Sequence, residues 1–139
     1  MDKEHSQEIL KMIIEKDTFA VKLGIEVLEA ADGRSKVTMP LGADTANALG
    51  NVHGGAIFSL ADMAFATAAN SEGNISVAIQ ANIHYMAPCA SEGRLYASAA
   101  KVGETRRLGY YHIRIYTPDE REIALMQAIV YKKGEEKKA

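Results

Sequence analysis

The residue that invites a chemical interpretation first is an aspartate inside an apolar segment. Between Ala56 and Ala69 the sequence contains apolar residues, two hydroxyl residues and a single charge, Asp62. A helix that is apolar on all sides is normally buried on all sides, and an ionised carboxylate is costly there unless it is paired or hydrogen-bonded. Asp62 is therefore either a structural residue, bonded to a neighbour such as Ser59, or a functional carboxylate with a shifted pKa.

The start of the same segment carries groups that would complement a carboxylate. His53 is followed by Gly54 and Gly55, and glycines leave their backbone N–H groups open to close approach. At a helix N-terminus these donors have no intrahelical partner, and the helix dipole favours negative charge. Such donors suit the oxyanion that forms when a carbonyl carbon is attacked. Two glycines also fit the simpler role of allowing close helix packing.

The spacing of these groups predicts how they cooperate. His53 and Asp62 are nine residues apart, which is about 13 Å along a helix axis. One carbonyl carbon cannot lie near both ends of that stretch. If the helix start binds the oxyanion and Asp62 carries out the attack, the two groups must come from different chains. Antiparallel helices meeting across a two-fold axis would create two such sites, so the residues predict an obligate dimer.

The elements that position these groups follow from local patterns. Alternating apolar residues predict strands, Asp32-Gly33 predicts a hairpin turn, and one strand, 75–85, has apolar odd positions that predict one buried face. The predicted elements are an N-terminal helix within 1–20, strands at 24–30 and 34–40, a loop at 42–52, a helix at 53–71, strands at 75–85, 93–102, 109–116 and 122–131, and a charged tail at 132–139. This order predicts an α+β fold, an antiparallel sheet wrapped around one long central helix.

The similarity to hotdog-fold thioesterases of the PaaI type is carried by residues 47–62, which read Asn-Ala-Leu-Gly-Asn-Val-His-Gly-Gly-Ala-Ile-Phe-Ser-Leu-Ala-Asp. Residues 82–88, Asn-Ile-His-Tyr-Met-Ala-Pro, resemble the family's strand that ends in proline. The resemblance implies a hotdog fold and hydrolysis of an acyl-CoA or aryl-acyl-CoA to the free acid and CoA. It also implies a homodimer or homotetramer, with CoA entering as part of the substrate and no separate cofactor.

The resemblance further implies roles for individual residues. Asp62 would be the base or the nucleophile, and the Gly54 amide would hold the thioester oxygen. His53 would orient the loop or the carbonyl group. Asn47 would position the attacking water or the substrate.

Other residues are expected to bind substrate. Some relatives carry a serine or threonine after the helix that assists the water; the matching position here is Ala78, and Gln80 is the polar neighbour that could replace it. Gly55 and Ser59 border the predicted site on the helix. Basic residues near strand connections are expected to contact the phosphates of CoA, because guanidinium groups suit phosphate well. These residues are Lys101, Arg106, Arg107, Lys132 and Lys133.

Two other functions fit the same fold. A non-catalytic acyl-CoA-binding module would keep the pocket without the chemistry, and a sensor of that kind would need a DNA-binding segment that this sequence does not show. A hotdog hydratase or dehydratase would pair an acid with a histidine differently, and no aspartate precedes a histidine at short spacing before the helix. Release of free thiol from acyl-CoA separates the three.

Length and composition limit the number of domains and the kinds of partner that the chain can have. The 139 residues suit a single domain, 1–139. A net charge of -2 argues against nucleic acid as the main partner. The single cysteine, Cys89, forms no intrachain disulfide, and the histidines show no metal-ligand spacing, so no metal site is predicted. The N-terminus lacks the pattern of a signal peptide and the apolar segment is too short to span a bilayer, which predicts a cytoplasmic protein with no membrane partner.

Overall fold

Six antiparallel strands curve around one central helix in the computed structural model of the chain, which describes residues 3–134. The strand order is β1-β2-β4-β5-β6-β3. The helices are α1 (Lys3–Lys16), α2 (Thr18–Lys22) and α3 (Gly54–Ala69), with a 3₁₀ turn at Ala43–Thr45. The strands are β1 (Glu26–Ala31), β2 (Arg34–Leu41), β3 (Ile75–Tyr85), β4 (Gly93–Glu104), β5 (Leu108–Tyr116) and β6 (Glu122–Gly134). The predicted α+β fold is confirmed.

The N-terminal segment forms two helices rather than the single one predicted within 1–20. Ile9 and Leu10 bury the apolar side of α1. Helix α1 ends before Asp17, whose Oδ1 accepts a hydrogen bond of 3.0 Å from the Ala20 N–H and caps α2. An aspartate at this position favours a new helix start because its side chain satisfies an unpaired backbone donor. No helix within residues 3–134 is long and apolar enough to cross a membrane.

The hairpin between β1 and β2 has the predicted turn. Asp32 and Gly33 adopt φ values of 56° and 79°, the left-handed pair that a two-residue type I′ turn requires. The Gly33 N–H donates to Ser71 Oγ at 2.8 Å. This bond ties the turn to the segment that follows α3, so the hairpin helps to fix the far end of the central helix.

Helix α3 packs into the concave face of the sheet. Leu60, Ala64 and Ala68 are fully buried, and the Phe65 ring meets the Tyr111 ring edge-on with centroids 5.6 Å apart. The predicted bounds of 53–71 agree with the observed helix to within two residues, since His53 caps the N-terminus and Asn70 the C-terminus.

The expectation that α3 is buried on all sides is wrong. One stripe of the helix is less covered than the rest, because neither the chain's own sheet nor its N-terminal helices close over it. The stripe follows helical spacing and consists of Gly55, Phe58, Ser59, Asp62 and Ala66.

Strand β3 also differs from its prediction. It is an edge strand that pairs only with β6, and the predicted buried face is only partly covered. Ala81 and Ile83 pack against the core, whereas Val77 is 42% exposed and Ile79 is 56% exposed. A bulge between Ala78 and Gln80 interrupts the register, so the alternation does not place every odd residue against the helix. Strand β6 continues to Gly134, which takes the start of the predicted tail into the sheet; residues 135–139 lie outside the described part.

Candidate active site

The start of α3 has one occupied and one open backbone donor. His53 is the N-cap residue, and its Nδ1 accepts the Gly55 N–H at 2.8 Å. An Nδ1 that accepts a hydrogen bond places the proton of the neutral imidazole on Nε2. The Gly54 N–H has no acceptor among residues 3–134. Of the two glycine amides predicted at this helix start, only that of Gly54 is free to bind an oxygen atom.

Hydrogen bonds within the loop that precedes α3 fix the position of the helix start. The His53 N–H donates to the Thr45 carbonyl at 2.7 Å. Asn47 Oδ1 accepts the N–H groups of Leu49 and Asn51 at 2.9 and 3.0 Å. The Asn47 Nδ2 has no acceptor within the described chain, so it can donate to a substrate or to water. Its predicted role as a positioning group is compatible with this geometry.

Asn47 and Gly54 share a cavity of about 280 Å³. Its other walls include Ile57 from the helix and Met86 and Tyr85 from the end of β3. Tyr85 donates its hydroxyl hydrogen to the Gly54 carbonyl at 3.2 Å. Nothing in the local sequence singled out Tyr85 as a functional residue, because the contact joins positions 31 residues apart.

Asp62 lies on the open stripe of α3, and its side chain reaches solvent. The structural alternative considered for it is not realised: Ser59 Oγ donates to the Gly55 carbonyl at 2.8 Å. Within residues 3–134 no group hydrogen-bonds the Asp62 carboxylate. Partial burial desolvates the carboxylate and raises its pKa, and the negative charge of Asp17 raises the pKa further.

Asp62 and Gly54 stand on one continuous helix, eight residues apart. The separation is about 12 Å along the axis, so a single chain does not bring the carboxylate to the open amide. Gly55 and Ser59 lie between them on the same open stripe.

The structure does not bring Gln80 to these residues. Gln80 pairs with Ile129, whose neighbours Ala128 and Val130 point into the core. Because facing residues of an antiparallel pair share a side of the sheet, Gln80 lies on the outer side, away from α3. One chain's geometry therefore does not support the substitution of Gln80 for a water-assisting hydroxyl, which stays a prediction. Ala78 pairs with the buried Val130 and so lies on the helix side.

The predicted basic residues divide into two groups. A second cavity of about 280 Å³ is lined by Asn74, Arg106, Arg107, Lys132 and Lys133. We call it the basic cavity. Lys101 does not line it and forms ion pairs at 2.7 Å with Glu72 and 3.1 Å with Glu104, and Glu104 also pairs with Lys132 at 3.0 Å. The arginines are exposed, and Arg107 donates to the Tyr131 hydroxyl at 2.9 Å.

Two other kinds of chemistry to consider are nucleophilic attack by a cysteine and metal binding. Burial raises the pKa of the Cys89 thiol, which disfavours the thiolate that a nucleophile needs. Within the part of the chain that the structure describes, no group of three or more His, Cys, Asp and Glu residues could hold a metal ion.

The chain is similar to known proteins in both sequence and structure. A family model described as the thioesterase superfamily matches residues 49–124. The chain is 34% identical over 120 residues to the acyl-coenzyme A thioesterase PaaI of Escherichia coli, covering 86% of each protein. The structure of E. coli PaaI, from the phenylacetic acid degradation operon, superposes with a TM-score of 0.89 at 31% identity and covers 96% of both chains. A mutant of the phenylacetic acid degradation protein PaaI from Thermus thermophilus superposes with a TM-score of 0.79 at 33% identity, covering 83% of this chain and 98% of that one.

Proposed function

The chain belongs to the thioesterase superfamily, and from this premise we propose that it hydrolyses an acyl-CoA or aryl-acyl-CoA at sites shared between two subunits. The observation that carries the proposal is the pair of unused groups on α3, the Gly54 N–H and the Asp62 carboxylate. They are the donor and the base that the reaction needs, and their separation of about 12 Å on one helix requires a second copy.

In the proposed reaction the Gly54 N–H of one subunit donates to the thioester oxygen. The bond strengthens as negative charge develops on that oxygen, so it stabilises the transition state more than the bound substrate. His53 directly precedes Gly54 at the helix start, and its Nε2–H helps to orient the carbonyl. The free Asn47 Nδ2 in the same cavity holds the substrate or the attacking water.

Asp62 of the other subunit supplies the attack. It either removes a proton from water, which then adds to the carbonyl carbon, or attacks that carbon itself to give an anhydride that water opens. In both routes the C–S bond breaks, water supplies the OH of the acid, and the thiolate of CoA takes up a proton. The raised pKa of Asp62 makes its carboxylate a stronger base than an ordinary aspartate.

We assign the phosphates of CoA to the basic cavity. The arginines Arg106 and Arg107 present planar donors suited to phosphate oxygens, and Lys132 and Lys133 add positive charge from the end of β6. The cavity lies at the end of the sheet where α3 terminates, because Asn74 connects that helix to β3. The nucleotide would bind there while the thioester reaches along α3 to Asp62.

Two uncovered surfaces support the proposed homodimer. Strand β3 has an unpaired edge, which soluble proteins normally cover or blunt, and it exposes Val77 and Ile79. The open stripe of α3 carries Asp62. Pairing of two chains across both surfaces would place the helices side by side and complete two sites. Assembly into a homotetramer and a cytoplasmic location stay predictions.

The central test replaces Asp62. We expect Asp62→Asn to lower thiol release from acyl-CoA by about 10²–10⁴-fold, the usual contribution of a positioned base. The matched control is Asp32→Asn, the same loss of charge in the β1–β2 turn, where asparagine also tolerates the positive φ of 56°. Rates are measured over a panel of aliphatic and aryl acyl-CoAs.

Near-wild-type turnover in Asp62→Asn would show that Asp62 is not the catalytic carboxylate. Binding of acyl-CoA by the wild type without thiol release would identify a non-catalytic module. Single turnover in oxygen-18 water tests the anhydride route: label in the Asp62 carboxylate requires an anhydride that water opens at the aspartyl carbon. Label in the product alone means that water attacked the acyl carbon, either of the substrate or of the anhydride.

A further inference from the structure

We propose that Tyr85 is a positioning residue of the active site that acts on His53 through the Gly54–Gly55 peptide group. The inference rests on the proposed function, because it concerns the same oxyanion site. Tyr85 is the last residue of β3 and pairs with the fully buried Ala124, which places it on the helix side of the sheet.

The contact between Tyr85 and the helix start has two parts. The hydroxyl donates to the Gly54 carbonyl at 3.2 Å. The ring lies against the same residue, since a Cβ built on Gly54 would be 3.5 Å from the ring carbon Cζ. The side chain is nevertheless 53% exposed, so burial alone does not account for the position of its hydroxyl.

The Gly54 carbonyl and the Gly55 N–H belong to one peptide group. A hydrogen bond received at the oxygen polarises this group and strengthens the bond that its N–H donates. That N–H donates to His53 Nδ1 at 2.8 Å. The result is a continuous chain of donors and acceptors from the Tyr85 hydroxyl to the imidazole of His53, the residue directly before Gly54, with the Nε2–H as its last donor.

This chain assigns a specific task to the tyrosine hydroxyl. It keeps Nδ1 as the acceptor and Nε2 as the donor, and it fixes the plane of the imidazole. The Nε2–H donor interacts with charge that develops on the thioester oxygen, so it stabilises the transition state more than the ground state. Disorder of the imidazole therefore lowers kcat and leaves KM almost unchanged. A purely structural tyrosine would instead contribute through its ring.

The test is Tyr85→Phe, which removes the hydroxyl and keeps the ring against Gly54. Because one neutral hydrogen bond is lost, we expect kcat to fall by about three- to tenfold with KM unchanged. Tyr96→Phe is the control, since Tyr96 stacks on Tyr116 on the outer side of the sheet. Nitrogen-15 NMR of the His53 ring should show the Nε2–H tautomer in the wild type and a shift of both ring nitrogens in Tyr85→Phe. Size-exclusion chromatography checks that both variants keep the wild-type assembly.

A kcat for Tyr85→Phe within about twofold of the wild type would overturn the proposal. So would a fall in kcat with unchanged His53 nitrogen shifts, because the hydroxyl would then act by another path. If the wild type releases no thiol, the proposed function fails on its own, and the NMR comparison still decides whether the hydroxyl controls the imidazole.

Discussion

The pKa of Asp62 lies above its ordinary value for two reasons: partial burial desolvates the carboxylate, and the negative charge of Asp17 raises the pKa further. A raised folded-state pKa means that the folded protein binds a proton more tightly than the unfolded chain. The stability that this adds is complete below the unfolded pKa and is lost as the pH rises through the folded pKa. At neutral pH the ionised carboxylate is therefore held at a small cost to folding, in return for greater basicity.

The role of Asp17 predicts a shift in the pH dependence. Asp17→Asn removes the charge but keeps the cap of α2, because asparagine accepts the Ala20 N–H as well as aspartate does. With the like charge gone, the pKa of Asp62 falls and the acid limb of the kcat/KM profile moves to lower pH. Asp32→Asn is the control for charge. An unmoved acid limb in Asp17→Asn would show that the limb does not report Asp62.

At the scale of the elements, three separate parts of the chain meet at the basic cavity: the β4–β5 connection, the end of β6 and the residue before β3. Joint replacement of Arg106 and Arg107 by alanine removes two phosphate donors while leaving α3 untouched. We expect KM for an acyl-CoA to rise about tenfold with little change in kcat. This rise corresponds to the lower end of the free-energy range for hydrogen bonds to charged groups, because the site is exposed to solvent and salt.

An acyl-pantetheine substrate without the nucleotide provides the internal comparison, and its KM should stay the same. Arg34→Ala, which removes an exposed guanidinium on β2, is the matched control. An equal rise in KM for both substrates would mean that the arginines support the fold of this end of the sheet rather than the nucleotide.

The elements themselves were largely predictable, because the signals are local. Asp32-Gly33 fixes its own turn geometry, and His53 and Asn70 end α3 with their own side chains. The shared site stays a prediction, and it too was made from sequence, since His53 and Asp62 lie about 13 Å apart on one helix.

What sequence could not provide depends on contacts between distant residues. Alternation in β3 tells which residues share a face but not what covers that face, so the exposure of Ile79 was missed. Lys101 is withdrawn from the basic cavity by Glu72, which follows α3, and Tyr85 meets Gly54 across 31 positions. The position of Ala78 on the helix side, although it has an even number, depends on a bulge in the pairing with β6.

At the scale of the whole molecule, the proposed function requires two chains to complete each active site, and complementation between two inactive variants tests this requirement directly. Asp62→Asn retains an intact helix start, and Gly54→Pro retains an intact Asp62 but lacks the amide hydrogen. Proline is well tolerated at the first position of a helix, and the extended His53, with ψ 138°, suits the residue before a proline. Gly54→Ala is the control, because it adds a Cβ and keeps the N–H.

Each homodimer of these variants should be inactive, whereas Gly54→Ala should retain more activity than Gly54→Pro. In a heterodimer purified through two different tags, one site combines the intact Gly54 of one chain with the intact Asp62 of the other, and the second site lacks both. We expect about half of the wild-type activity per dimer, because one of the two symmetric sites is restored. A heterodimer of wild type and Asp62→Asn, also with one intact site, calibrates this value. A heterodimer of the two variants as inactive as either homodimer would place donor and carboxylate in the same chain, and the shared site would be abandoned.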